Sequence, residues 1–145
     1  MINCNCRLLW RRSRAAALNI IPTTTGASRV MGVVMPQLKG KIHAIALRVP
    51  VGKGSLIDLT FTAQKKMTAK AINAAFLTAS KSDLKGILDI SHDPIVSSDS
   101  NNTQFSVIID GLLTDANQHM AKVCGWYDNE WGYSERLKDF LVRIV

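Results

Sequence analysis

A chain of 145 residues with 47% apolar content is the size of one ordinary domain and can bury a core. Three cysteines, Cys4, Cys6 and Cys124, are too few and too odd in number for a disulfide framework, and no apolar run approaches the roughly 20 residues that span a bilayer. The net charge of +7 is unevenly placed: residues 1–57 hold six Arg and three Lys without one acid, whereas residues 58–145 hold nine basic side chains against eleven acids. The first part is therefore built to face something negative, whether a phosphorylated ligand, nucleic acid or an acidic partner.

Residues 1–18 are arginine-rich and acid-free, as a transit peptide would be, but the arginines run without a break into a stretch that suits phosphate, so no targeting role is expected. From Ala27, the residues Ala27, Val30, Met31, Val34 and Met35 follow helical spacing and predict a helix with one buried face, stopped by Pro36. Ile42 to Val49 reads as a strand covered on both sides, with Arg48 at its end pointing into solvent or a cleft. After the turn Val51-Gly52-Lys53-Gly54, the alternation from Ser55 to Ala63 predicts a second strand, expected to pair antiparallel with the first because the connection is short. Thr68 caps a predicted helix to about Ser80, with Ala71, Ile72, Ala75, Phe76 and Ala79 as its apolar stripe.

Strands are predicted at Ile87–Ile90, Pro94–Ser97, Gln104–Ile109 and Met120–Trp126, with a loop from Ser97 to Thr103 and a turn at Asp110-Gly111. A last helix begins around Asn129 or Glu130 and presents Tyr133, Leu137, Phe140, Leu141 and Ile144 on one face. This inventory makes an α+β fold: a mixed, largely antiparallel sheet with about three helices.

Two stretches carry chemistry. Arg11-Arg12, Arg14 and Thr23-Thr24-Thr25-Gly26 join guanidinium groups to three hydroxyls just before a helix start, where free backbone N–H groups and side chains can together hold an anion. An ordinary N-cap with solvated arginines nearby explains the same residues. Trp126-Tyr127-Asp128-Asn129-Glu130-Trp131-Gly132-Tyr133 sets four aromatics, an amide and two acids where a strand gives way to a helix. Asn129 offers the donor and acceptor that a carboxamide needs; alternatively it caps the helix while the aromatics fill the core. Cys4 and Cys6 have no second ligand pair at metal spacing, so no metal site is expected.

Arg14-Ala15-Ala16-Ala17, Asn19 to Ala27, Leu38-Lys39-Gly40-Lys41, Arg48-Val49-Pro50, Leu84 to Leu88, Val96-Ser97-Ser98-Asp99 and Trp126 to Ser134, in that order and spacing, resemble the C-terminal catalytic domain of phosphorylating glyceraldehyde-3-phosphate dehydrogenase. The erythrose-4-phosphate dehydrogenase group is the nearest competitor in that fold. The resemblance implies oxidation of an aldehyde to an acyl phosphate in glycolysis, with NAD as cofactor. It implies that Arg12, Thr25 and Gly26 match the site for inorganic phosphate and that Arg48 matches an arginine gripping the substrate's phosphate. Asn129 would match the residue holding the nicotinamide carboxamide, Tyr133 a tyrosine close by it, and Arg14 the loop that abuts NAD in a neighbouring subunit.

Residues 1–10 are read as a divergent segment and residues 11–145 as the catalytic domain, with the nucleotide-binding domain absent. The nucleophilic cysteine in its Ser-Cys-Thr-Thr-Asn setting and its activating histidine have no match, so no catalytic residue is assigned. Cys124 falls in a strand expected to be buried, and His43, His92 and His119 lie elsewhere than the base. Val51-Gly52-Lys53-Gly54 replaces the Thr-Pro-Asn-Val-like run usual after Arg-Val-Pro. The chain is therefore expected to be cytoplasmic, to self-associate, to bind NAD not stably by itself, and to be inactive alone. Neither a membrane nor nucleic acid is expected as a partner. The alternative is a non-enzymatic basic module that docks an acidic chain or nucleic acid.

Overall fold

The structure, a computed structural model, describes residues 10–144. Cys4 and Cys6 lie outside the described residues. The chain divides into two compact units, Met1–Gly52 and Lys53–Val145.

In the first unit, residues 10–12 are helical and a 3-10 turn follows at Ala16–Leu18. Strand β1 (Ile21–Thr24) leads into helix α1 (Ala27–Val34), a 3-10 turn at Pro36–Leu38 and strand β2 (Ile45–Arg48). Pro36 ends α1 as expected, and Gly40, at φ +76°, supplies the left-handed exit that a side chain would oppose. β1 and β2 form a two-stranded antiparallel sheet in which Ile21 faces Arg48 and Thr23 faces Ala46. The threonines at 23 and 24 thus lie on a strand rather than in a helix approach. Neither the burial of β2 on both sides nor that of the α1 face is met: Ile45, Leu47, Val30 and Val34 are all exposed.

The second unit holds β3 (Ser55–Thr62), helix α2 (Ala69–Lys81), β4 (Leu88–Ser91), β5 (Val107–Asn117), β6 (Met120–Tyr127) and helix α3 (Asn129–Ile144). Its sheet runs β3-β6-β5-β4, antiparallel except for the parallel pair β4–β5, so the α+β mixed sheet read from sequence is the fold observed. Thr68 Oγ1 accepts from the Ala71 N–H at 3.2 Å and caps α2. Ile72 on α2 packs with Leu88, Ile109, Ala121 and Val123 of the sheet, and Phe61, Met67 and Phe76 close around them.

β3 does not pair with β2. Its eight-residue alternation matches β6 at every position from Ser55↔Tyr127 to Thr62↔Met120, a longer ladder than the four residues of β2 could offer. No strand forms at Pro94–Ser97. A 3-10 turn occupies Ser97–Ser100, and Asp99 Oδ2 accepts from the Val96 N–H at 2.7 Å. Asp110-Gly111 is not a turn either. The buried Asp110 carboxylate accepts from the N–H groups of Leu112 and Leu113 and from Trp126 Nε1, which makes a bulge inside one continuous β5. The hairpin closes later, at Gln118 (φ +57°) and His119.

Gly125 sits in the central strand β6, where an added Cβ would lie 2.6 Å from Val107 Cγ2 and 3.2 Å from Ile57 Cγ2. Both neighbours are β-branched and stiff on a strand. Gly125→Ala should therefore cost about 1–3 kcal/mol through overpacking, read as a lower urea midpoint with unchanged slope. An unchanged midpoint would show that the sheet opens there freely.

Candidate functional site

The candidate residues fall into two groups, one in each unit. In the first unit a cavity of about 330 Å³ is lined by Arg12, Arg14, Ala16, Ile21, Thr23 and Arg48. The β1–β2 register explains the composition. Ile21 and Thr23 alternate onto one face of the ribbon, and Arg48 stands opposite Ile21 on that same face. Arg48 ends its strand, so the guanidinium is free to leave the sheet, as its place before Pro50 suggested. A second cavity, of about 240 Å³, is lined by Arg11, Pro22, Thr23, Thr24, Thr25, Ala44 and Ile45. Thr23 belongs to both. The Arg12 guanidinium donates to Thr24 Oγ1 at 3.4 Å.

Thr25 and Gly26 sit at the entry to α1. The Ala27 N–H donates to Thr25 Oγ1 at 3.2 Å, and Gly26 precedes the helix with its backbone open: a Cβ there would touch nothing. Gly26 lines neither cavity. The structure thus places Arg12 and Arg48 around one cavity and Thr25 around the next, with Thr23 between them. Three guanidinium groups that always carry charge, those of Arg12, Arg14 and Arg48, set beside a hydroxyl, have the chemistry to compensate a small multiply charged anion.

In the second unit the centre is Asp128, which is 1% exposed. Its Oδ1 accepts from the Trp131 N–H at 3.0 Å, which makes it the N-cap of α3; its Oδ2 accepts from the Asn102 N–H at 2.8 Å and from Lys53 Nζ at 2.8 Å. Burial pushes this carboxyl up, but the Lys53 ammonium and the two backbone donors outweigh burial and hold it at about 2. The cap is therefore Asp128 and not Asn129. The Asn129 carboxamide is exposed, and its Oδ1 accepts from Ser55 Oγ at 3.3 Å. Tyr133, 70% exposed, follows one helical turn later on the same face. Trp131 is also exposed, so these aromatics do not fill the core.

Lys53 and Ser55, which hold Asp128 and Asn129, were not identifiable from their own surroundings. Lys53 reads as a turn residue, and the signal that links Ser55 to the α3 start is the β3–β6 register, which no local pattern discloses. Cys124 is buried, and burial first, then the Asp58 carboxylate, pushes its thiol up. Such a thiol is a poor nucleophile. Among the described residues no cluster of three His, Cys, Asp or Glu side chains could hold a metal ion.

The sequence matches the family model for glyceraldehyde 3-phosphate dehydrogenase, C-terminal domain, over residues 3–129. It is 54% identical over 135 residues to the glyceraldehyde-3-phosphate dehydrogenase of Mycobacterium avium, covering 93% of this chain and 40% of that protein. It is 51% identical over 130 residues to a chloroplastic glyceraldehyde-3-phosphate dehydrogenase of Arabidopsis thaliana, covering 89% and 33%. With glyceraldehyde-3-phosphate dehydrogenase 2 of Bacillus subtilis it shares 48% identity over 136 residues, covering 93% and 40%. The chain spans about 40% or less of the length of these relatives. A match over most of its residues, on an α+β fold, makes the chain a member of the glyceraldehyde-3-phosphate dehydrogenase family over that family's C-terminal domain.

Proposed function

We propose that residues 11–145 are the catalytic domain of an NAD-dependent phosphorylating glyceraldehyde-3-phosphate dehydrogenase, a cytoplasmic enzyme of glycolysis, and that these residues alone do not turn over. In this reading Arg12, Thr25 and Gly26 bind the attacking inorganic phosphate, Arg48 binds the phosphate of the sugar substrate, and Asn129 and Tyr133 face the nicotinamide ring. The observation that carries it is the convergence of Arg12, Arg48 and Thr23 on one cavity of about 330 Å³. The guanidinium groups compensate phosphate charge, and the threonine hydroxyls orient its oxygens. The Asn129 carboxamide suits a second carboxamide: Ser55 fixes the side of its oxygen, and the Nδ2 hydrogens remain to donate. NAD would supply the hydride acceptor. The raised thiol and burial of Cys124 leave it unsuited to attack a carbonyl.

Self-association belongs to the same reading. The α1 face leaves Val30, Val33 and Val34 exposed and the α3 face Leu137, Phe140 and Leu141, apolar side chains that a second copy would cover. The test is a steady-state assay of the purified chain with glyceraldehyde 3-phosphate, NAD and inorganic phosphate. No turnover is expected, together with saturable phosphate binding, at about millimolar concentration, in a calorimetric titration. Turnover abolished by Cys4→Ser would prove the inactivity reading wrong, and absence of phosphate binding would remove the anion site.

A further inference from the structure

We propose that Lys53 is a positioning residue for Asn129: through its ion pair with Asp128 it fixes the first turn of α3 and so the direction in which the Asn129 carboxamide is presented. The inference rests on the reading of Asn129 as a nicotinamide-facing group. The short segment Lys53-Gly54-Ser55 grips two successive residues at the helix start. Lys53 Nζ donates to Asp128 Oδ2 at 2.8 Å and to Asn102 Oδ1 at 2.7 Å, and stands 6.0 Å from the centre of the Trp131 ring. Ser55 Oγ donates to Asn129 Oδ1 at 3.3 Å. Between them Gly54, at φ +90°, has no room for a side chain, since a Cβ would lie 2.8 Å from the Ser97 carbonyl oxygen. Backbone shape therefore ties the placing of Lys53 to that of Ser55.

Asp128 in turn is tied to the helix twice, by its carboxylate to the Trp131 N–H and by its carbonyl to the Gly132 N–H at 2.9 Å. Asn129 lies between these bonds. The groups facing the Asp128 carboxylate are Lys53 from the segment before β3, the Asn102 N–H from the loop after Ser97–Ser100, and the Trp131 N–H from α3. Its titratable neighbours in sequence are Tyr127 and Glu130, and among the described residues no cation other than Lys53 forms an ion pair with it.

The experiment follows the Asn129 side-chain amide signal and the Asp128 carboxyl signal by NMR in the full 145-residue chain from about pH 6 down to about pH 2. In the wild type both signals should hold until Asp128 protonates near 2. In Lys53→Met the Asn129 signal should already differ at neutral pH, and both signals should titrate together at a pH higher by about one unit or more, because burial persists while a donor is lost. Lys53→Arg should restore the wild-type profile, which a mere loss of packing would not. Should Lys53→Met fail to fold, Lys53→Gln keeps a neutral donor and should give an intermediate titration. An Asn129 signal that ignores these substitutions while Asp128 moves would overturn the proposal. The readout needs no ligand, so its failure is separable from that of the nicotinamide reading. If Asn129 follows Lys53, positioning stands whether or not nicotinamide is held there.

Discussion

Asp128→Ala should lose about 3 kcal/mol of stability, the largest loss expected from any single change near the α3 start. Three partners are orphaned at once: the Trp131 and Asn102 N–H groups and the Lys53 ammonium. The N–H groups of a helix start and of a loop lose a charged acceptor, worth more than a neutral one. Lys53, with its side chain 38% exposed, can recover part of its hydration, which keeps the loss below that of a fully buried pair. A carboxyl whose folded value is about 2 against an ordinary 3.8 contributes stability that is fully present above the ordinary value and is lost as pH falls through the folded one. That difference corresponds to about 2 kcal/mol, so the gap between wild type and Asp128→Ala should narrow by that amount between about pH 5 and pH 2. Asp128→Asn keeps an acceptor for Trp131 and should fall between them. Urea denaturation of the three proteins at several pH values measures this. A gap independent of pH would mean that the cap is steric rather than ionic.

The sequence made visible whatever rested on local period or on a named local device. α2 with its Thr68 cap, the stop at Pro36, the β6 strand and the start of α3 all follow from residues within a few positions of one another. What stayed hidden depended on distant partners. Ile21–Thr24 carries a proline and two threonines and shows no alternation, yet it is a strand because Ile45–Arg48 lies beside it. Asp110-Gly111 has the composition of a turn, but a carboxylate that accepts from two N–H groups further on and from the Trp126 indole makes it a bulge. The apolar faces of α1 and α3 were legible as faces, but periodicity states only that a stripe exists and not what covers it. At the site, the motifs named Arg12, Arg48 and Asn129 directly. They did not name Thr23 as the residue shared by both cavities, which follows from strand register, nor Lys53, whose partner is 75 positions away.

Arg48→Ala and Arg12→Ala should each weaken inorganic phosphate binding about 10-fold: Arg48 is read as the partner of the substrate's phosphate, but both side chains line one cavity, so with no substrate present inorganic phosphate added alone meets both charge-assisted donors. Neither guanidinium has an acidic partner within ion-pair distance among the described residues, and residues 1–57 contain no acid, so no carboxylate of that stretch competes with a bound phosphate. Guanidinium groups without such competition are left to an anion from solution and do not close on the chain itself. Arg48→Lys separates charge from shape. A lysine at the strand end keeps the charge but not the planar fork, so binding should recover only in part and should depend more steeply on salt. Arg29→Ala is the control: this arginine lies on α1, is exposed, and lines neither cavity, so it alters net charge by the same amount without touching the site. Calorimetric titration at two ionic strengths reads all four variants. Equal weakening by Arg29→Ala and Arg48→Ala would reduce the site to diffuse attraction by a basic surface. Larger losses from Arg12→Ala and Arg48→Ala than from Arg29→Ala are what a cavity lined by these guanidinium groups requires.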